Sequence, residues 1–278
     1  MSIVLNTNIN SVFAGAAVSQ TNVDLSKQME ALSTGKRINF ASDDSAGSTV
    51  VSRMAGQIAG LNQDVKNAND GISLGQTYDA AAQTISNILT RMQTLATQIA
   101  SGTYSTSDAN NANQEFGQLQ SEITRIASNT KWNGSMAVGS ASTYTIQVGY
   151  TSGDTISLSL GSMSAKALGS GSTNGSVGSA SIASAGGASL ALASIAAGLS
   201  SLNSSRAVAG AVVNRLQDTV TVLMNLSQRT QEAQSQIQST DYAATSSALA
   251  KDNVLLQAGT AMLAQANQQP QYILTLLK

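Results

Sequence analysis

The sequence predicts a mainly α-helical fold: a long antiparallel helical rod with coiled-coil-like termini and a small β-hairpin at mid-chain. Apolar residues recur at alternating steps of four and three over long stretches, which is the stripe of packed helices. Aromatic residues make up only 4% and charged residues 10% of the chain, a composition that suits thin layers of closely packed helices. The single proline, Pro270, lies near the C-terminus, so no earlier helix is broken by one.

Both ends of the chain carry apolar stripes without charge. The first 23 residues and the stretch 253–277 contain no Asp, Glu, Lys or Arg. Asn and Gln residues interrupt both stretches and exclude a membrane span, because lipid would leave their amide groups unsatisfied. We therefore expect the stripes to be buried against the other end of the chain and against other copies of it. The stripe residues are Leu5, Ile9, Val12 and Ala16 near the start, and Leu256, Gly259, Leu263 and Ala266 near the end.

Two longer stripes lie between the terminal ones. The first predicts one helix from about Asp43 to Ile99, roughly 85 Å long at 1.5 Å per residue. Ser42 is its predicted N-cap, with Asp43 and Asp44 in the first turn, where the helix dipole favours negative charge. We assign this acidic pair to capping, because adjacent helical residues point about 100° apart and do not converge on one ligand.

The second long stripe runs from Ile195 to Leu223 and includes one charged residue, Arg206. Two interpretations are open. In the first, the stem of the arginine packs while its guanidinium reaches the edge of the seam. In the second, it forms an ion pair within the chain or with another copy, for which Asp43 and Asp44 are candidates, because a buried unpaired charge would be costly.

The middle of the chain changes character. A helix carrying Ala112 to Ile126 comes first. Then Thr143–Val148 and Thr155–Leu160 alternate with period two around Ser-Gly-Asp, which predicts a β-hairpin. Residues 167–187 are rich in Ser and Gly and uncharged, which predicts a flexible surface connection.

These elements predict two domains. Residues 1–34 and 236–278 form a terminal helical coiled-coil domain. Residues 35–235 form a core helical domain, with the hairpin near 143–161 and the loop at 167–187.

The chain contains no cysteine and no histidine, which removes the Ser-His-Asp and Cys-His arrangements and every thiolate or imidazole metal site. We therefore expect no enzyme, and no catalytic, metal or cofactor-binding residue. The net charge is −1 and no basic stripe is present, so neither nucleic acid nor an anionic membrane is a predicted partner. The N-terminus also lacks the pattern of a secretory signal peptide.

Several segments resemble those of bacterial flagellins, in the order in which that family has them. They are LNTNINS at 5–11, ALSTGKRINFASDDSAG at 31–47, GLNQDVKNANDGISLGQT at 60–77, RAVAGAVVNRL at 206–216 and AGTAMLAQANQQPQYILTLL at 258–277. Only the middle, about 141–187, lacks segments that resemble the family. It is long enough for the hairpin and little else. The chain is therefore similar to a minimal flagellin without large outer domains.

The resemblance implies a subunit that is exported unfolded by the flagellar type III apparatus and polymerises into the extracellular filament used for motility. The terminal domain would form the inner tube of that filament. Implied partners are other copies of the chain, an export chaperone at the C-terminal helix, and the filament cap and hook-filament junction proteins. The implied subunit-assembly residues are Leu5, Ile9, Val12, Leu256, Leu263, Leu276 and Leu277. Two alternatives remain: a hook-filament junction protein of the same family, and a secreted helical adhesin or translocator.

The resemblance also reaches a segment that the vertebrate innate-immune flagellin receptor binds in many flagellins, of form Leu-x-Arg-x-x-Glu-Leu-Ala. Here Leu89, Arg91 and Leu95 match and are the implied receptor contacts, while Thr94 stands in place of the Glu. We expect weakened recognition of the monomer, and we expect Leu89 and Leu95 to be covered by a neighbouring subunit in the filament.

Overall fold

The computed structural model describes residues 7–170 and 175–276, without the side chains of residues 136 and 269–276. Its helices are α1 Ile9–Thr34, α2 Ser45–Ala100, α3 Thr106–Asn129, α4 Ala185–Gln238 and α5 Tyr242–Leu276. Its strands are β1 Lys131–Trp132, β2 Ser135–Met136, β3 Ser142–Gln147 and β4 Thr155–Leu160. The mainly α-helical prediction is therefore confirmed.

The chain divides into two compact units. Unit 1 comprises Met1–Gly56 and Arg229–Lys278, and unit 2 comprises Gln57–Gln228. The sequence boundary at 34/35 follows the end of α1, and the one at 235/236 lies inside the last turn of α4. As domain boundaries they stay a prediction, as does the rod shape.

In unit 1, α1 begins where the Asn8 side chain accepts a hydrogen bond from the Ser11 N–H at 3.2 Å. It ends at Gly35, whose left-handed backbone (φ +69°) stops a helix at low steric cost. Tyr242, the first residue of α5, donates its hydroxyl to the Leu32 carbonyl at 3.3 Å. The turn that ends α1 is thereby held against the start of α5.

The start of α2 corrects the sequence prediction. Asp44, not Ser42, caps this helix, because its carboxylate accepts the Gly47 N–H at 2.8 Å. Asp43 lies in the preceding turn, where it accepts the N–H groups of Phe40 at 3.0 Å and Asn39 at 3.2 Å. The hydrogen bond from Phe40 is the main reason why the pKa of Asp43 lies below its usual value.

In unit 2, α2 and α4 pack antiparallel along their predicted stripes. Gly75 and Gly71 of α2 allow the close approach, because a Cβ there would lie 2.4 Å from Val213 and 3.1 Å from Leu216 respectively. The stripe residues that are fully buried include Ala68, Ala82, Ile85, Leu89, Met92, Ala96, Ile99, Ile195, Leu202, Ala209 and Leu216. The four-three periodicity therefore identified the faces that form the core.

The predicted hairpin is confirmed as β3 and β4, paired from Ser142↔Leu160 to Gln147↔Thr155. The apolar side chains of β4 alternate inward and are buried: Ile156, Leu158 and Leu160. The buried Tyr78 of α2 donates its hydroxyl to the Gly161 carbonyl at 3.1 Å, just beyond β4. The hairpin is thus attached to α2 as part of the core.

The prediction of a surface connection at 167–187 is wrong for the part that the structure describes. Leu168, Val177 and Ile182 are buried in the core of unit 2. Gln120 of α3 donates its side-chain amide to the carbonyls of Val177 at 2.7 Å and Ala180 at 2.8 Å. Ser and Gly dominate the composition of this segment and predict exposure, although its few large apolar residues are buried. Residues 171–174 lie outside the described residues, and the flexibility of the segment stays a prediction.

Arg206 forms an ion pair, but with a residue that the sequence analysis did not consider. Its Nε lies 2.7 Å from Oδ1 of Asp79 on α2. Asp43 and Asp44, the predicted partners, are used in the turn and cap before α2. The Arg206 side chain is 26% exposed, so its stem is largely covered while the guanidinium reaches the solvated Asp79. The covered stem agrees with the first interpretation, and the ion pair agrees with the second.

We expect Arg206→Met to change the free energy of unfolding by no more than about 1 kcal/mol. Partly exposed ion pairs contribute little, and the remaining Asp79 can be solvated. Urea unfolding followed by circular dichroism measures the effect, with Asp79→Asn as the matched variant. A loss above about 3 kcal/mol would mean that the pair behaves as a buried one.

Candidate assembly surface

The α1/α5 pair of unit 1 has an antiparallel seam of small and polar residues. Asn8 donates its side-chain amide to the Ala266 carbonyl at 2.8 Å. Further along, Gly259 leaves room for Val18, since a Cβ at residue 259 would lie 2.8 Å from Val18 Cγ2. Near the other end, Gln28 Nε2 donates to Asp252 Oδ2 at 2.9 Å. This seam half-buries small and polar groups together with Val18, Leu256 and Leu263, and leaves other large apolar side chains of both helices exposed.

Several large apolar residues of α1 lie on its outward face. The exposed fractions are 66% for Ile9, 67% for Val12 and 78% for Phe13. Val23 is also exposed, and the steps from Ile9 through Val12, Ala16 and Val23 keep these residues on one side of the helix.

Helix α5 also has exposed apolar side chains. Val254, Leu255 and Met262 are exposed on it, in a stretch without charged residues. Exposed apolar patches of this kind mark surfaces that bind other protein or lipid.

The predicted assembly residues fall into three groups. Ile9 and Val12 are exposed in the subunit, so of the two expected partners only other copies of the chain are left to cover them, and their assembly role stays a prediction. Leu256 and Leu263 are half-buried on the face of α5 that carries Gly259, and therefore belong to the α1/α5 seam. Leu5, Leu277 and the side chain of Leu276 lie outside the described residues.

Among the described residues, no group of three or more Asp, Glu, His or Cys side chains is placed to hold a metal ion. Of the described helices, α4 alone is long and apolar enough to cross a membrane by length and composition. The core helix of a folded protein passes the same test, and Ile195, Leu202, Ala209 and Leu216 of α4 are buried in unit 2.

Two family models match most of the chain. One is described as the bacterial flagellin N-terminal helical region and matches residues 5–138, and the other as the bacterial flagellin C-terminal helical region and matches residues 192–277. The chain belongs to the bacterial flagellin family. As a flagellin it is a structural filament protein and not an enzyme.

Two relatives match nearly the whole length of the chain and support the assignment. A flagellar filament 31.3 kDa core protein of Treponema maltophilum is 37% identical and covers 99% of this chain and 100% of its own. A flagellin of Halalkalibacterium halodurans is 38% identical over 91% of each chain. Among solved structures, the crystal structure of Bacillus cereus flagellin has a TM-score of 0.49 and 31% identity, covering 56% of this chain and 88% of that one.

The structure of this flagellin changes the interpretation of the receptor segment. Leu89 and Leu95 are buried in the core of unit 2. The expectation that a neighbouring subunit covers them is therefore wrong, because the subunit covers them itself. Arg91 is exposed, and its guanidinium lies 3.0 Å (Nε) and 2.8 Å (Nη2) from Glu115 Oε1 on α3.

Glu115 is a neighbour of the predicted receptor segment that the sequence pattern did not indicate. It lies 24 residues from Arg91, on a different helix, so no spacing within α2 points to it. Thr94 is exposed beside Arg91, and its hydroxyl donates to the Thr90 carbonyl at 3.0 Å. The exposed polar surface of this segment therefore includes Arg91 and Thr94, with Glu115 of α3 beside them.

Proposed function

We propose that this flagellin is the structural subunit that polymerises into the filament of a bacterial flagellum and that it functions outside the cell in motility. Its relatives include proteins named as flagellar filament core proteins, which it matches from end to end. Both terminal helices lie within the matched family regions.

The observation that carries this proposal is the uncharged apolar surface of unit 1. Phe13 on α1 and Met262 on α5 are exposed, although each is large and apolar. Covering such side chains yields about 1.5 to 3 kcal/mol each. Packing against other copies of the chain would bury these side chains, and no charged partner is needed for it.

The exposed apolar side chains lie on two different helices, Phe13 on α1 and Met262 on α5, so the α1 patch of one copy can pack against the α5 patch of the next. Such heterologous contacts produce an open helical polymer when the rotation between copies does not close into a ring. A filament is therefore the assembly that this surface favours. The terminal domain 1–34 and 236–278 would form its inner tube, and the core domain 35–235 would lie outside it.

Export of the chain precedes assembly. We infer passage through the flagellar type III apparatus in an unfolded state, since isolated helices of this kind are marginal in water. An export chaperone would cover the exposed Val254, Leu255 and Met262 of α5 before export. At the two ends of the filament, the cap and hook-filament junction proteins would contact the same terminal helices.

Electron microscopy of purified protein after salt-induced polymerisation tests the proposal. We expect long filaments of this chain alone. A protein that stays monomeric with a folded α1/α5 pair would instead favour a secreted adhesin or translocator, and polymers only a few subunits long would favour a junction protein. Detection of the chain in culture medium, and its loss when the export apparatus is disabled, tests secretion.

Recognition by the innate-immune flagellin receptor is a further proposed partner interaction, centred on Arg91 with Glu115 and Thr94. We expect Thr94→Glu to raise the potency of the monomer by about tenfold or more, because hydrogen bonds to charged groups contribute about 1.5 to 3 kcal/mol. A reporter-cell assay measures potency, with Thr94→Gln as the neutral control of the same size. Equal potency of all three proteins would show that Thr94 does not limit recognition.

A further inference from the structure

One carboxylate inside unit 2 is buried without a hydrogen-bond partner at one of its oxygens. Asp64 lies on α2, is 4% exposed, and its Oδ2 accepts no hydrogen bond in the described part of the chain. An ionised carboxylate buried without a partner is strongly unfavourable. A cation bound next to Asp64 would offset the free-energy cost of burying its ionised carboxylate.

The hairpin covers Asp64 from one side. Gly60 and Asn67 lie one helical turn on either side of Asp64 along α2. A Cβ at Gly60 would lie 3.0 Å from Tyr150 of the loop between β3 and β4. Asn67 donates its side-chain amide to the Gln147 carbonyl at the end of β3, at 3.3 Å. Asp64 is therefore enclosed between α2 and the end of the hairpin.

The hairpin loop supplies a second carboxylate, Asp154. This side chain folds back over Gly149 and accepts a hydrogen bond from the Thr151 hydroxyl. The end of the hairpin contacts α2 one turn before Asp64, at Gly60, and one turn after it, at Asn67, which brings Asp154 to the Asp64 side of α2. Burial raises the pKa of Asp64, and the negative charge of Asp154 raises it further. Neither takes part in an ion pair among the described residues.

We propose that Asp64 and Asp154 bind a divalent cation between α2 and the β3–β4 loop, and that Ca²⁺ fits this site best. Carboxylate oxygens are the ligands that hard cations prefer. Ca²⁺ accepts irregular coordination completed by water, whereas Mg²⁺ requires a near-octahedral arrangement. The exposed side of Asp154 admits such water. The bound ion would neutralise both carboxylates and hold the loop against α2.

Only two protein carboxylates are available, so we expect a dissociation constant of about 0.1 to 1 mM, as in extracellular calcium modules. Binding to the folded state alone then stabilises it by mass action. In 10 mM Ca²⁺ we expect the Tm of the monomer to rise by about 3 to 10 °C.

Thermal unfolding of the full-length monomer, first treated with chelator and then supplied with CaCl₂, tests this site. Potassium chloride of equal ionic strength controls for screening. We expect wild type to respond to Ca²⁺ and both Asp64→Asn and Asp154→Asn to lose the response. Asp70→Asn removes an exposed carboxylate from the same helix and should respond as wild type does.

The proposal is overturned if wild type does not respond to Ca²⁺, or if it and Asp154→Asn respond equally. Asp154 is exposed, so its variant decides the question even if Asp64→Asn fails to fold. A wild-type Tm that rises between pH 7 and pH 5 without any response to Ca²⁺ would show that the pair holds a proton instead, which also contradicts the proposal.

Discussion

Removal of the last 20 residues, 259–278, is expected to abolish filaments while unit 2 stays folded. The deletion takes away the part of α5 that carries Gly259, Leu263 and the Ala266 carbonyl, to which Asn8 donates. Loss of a Leu from a packed site costs about 2 to 5 kcal/mol, and in a polymer that loss recurs in every subunit. The buried core around Tyr78, by contrast, belongs to unit 2.

Electron microscopy after salt-induced polymerisation measures the first effect, and thermal unfolding followed by circular dichroism measures the second. A variant that lacks only Lys278 is the matched control and should polymerise. A truncated protein that still makes ordinary filaments would refute the assembly role of α5. Loss of all cooperative unfolding would refute the independence of unit 2.

Phe13→Asp is expected to prevent polymerisation without destabilising the monomer. Phe13 is highly exposed in the subunit, and substitutions at such positions usually change the free energy of unfolding by less than about 0.5 kcal/mol. In a filament the same position would be covered by another copy. A carboxylate placed there would have to be buried without a partner, at a cost of several kcal/mol per subunit.

Sedimentation of polymer separates assembled from free protein, and urea unfolding reports the stability of the monomer. Phe13→Leu keeps the side chain apolar and is expected to retain assembly. Normal filaments from Phe13→Asp would mean that the outward face of α1 is not an interface. A large loss of monomer stability would mean that Phe13 contributes to the α1/α5 seam instead.

The core stripes could be predicted from the sequence because each long helix has one apolar face over many turns. From Leu61 to Ile99 on α2 and from Ile195 to Leu223 on α4, alternation of four and three leaves a single choice of buried side. Alternation with period two located the β3–β4 hairpin in the same way. Such patterns lie within one helix or strand, so they can be recognised without knowing which element packs against it.

The terminal helices show where such patterns stop being sufficient. Helix α1 carries apolar residues on two sides, with Ile9 and Val12 on one and Val18 on the other. The side that faces α5 is decided by shape, because Gly259 leaves space for Val18 and the Asn8 amide reaches a carbonyl of α5. Hydrophobicity alone favours the larger side chains of the outward face, which is why that face was expected to be buried.

Composition and periodicity by themselves determined the helical class, the positions of the long helices, the hairpin and the absence of histidine and cysteine chemistry. Tertiary structure alone decided which opposite charges meet: Arg206 with Asp79 and Arg91 with Glu115. The physical reason is the same for both pairs. Helix spacing defines the face on which a side chain lies, whereas the register between two packed elements, set by close contacts such as Gly75 against Val213, defines which side chain lies opposite.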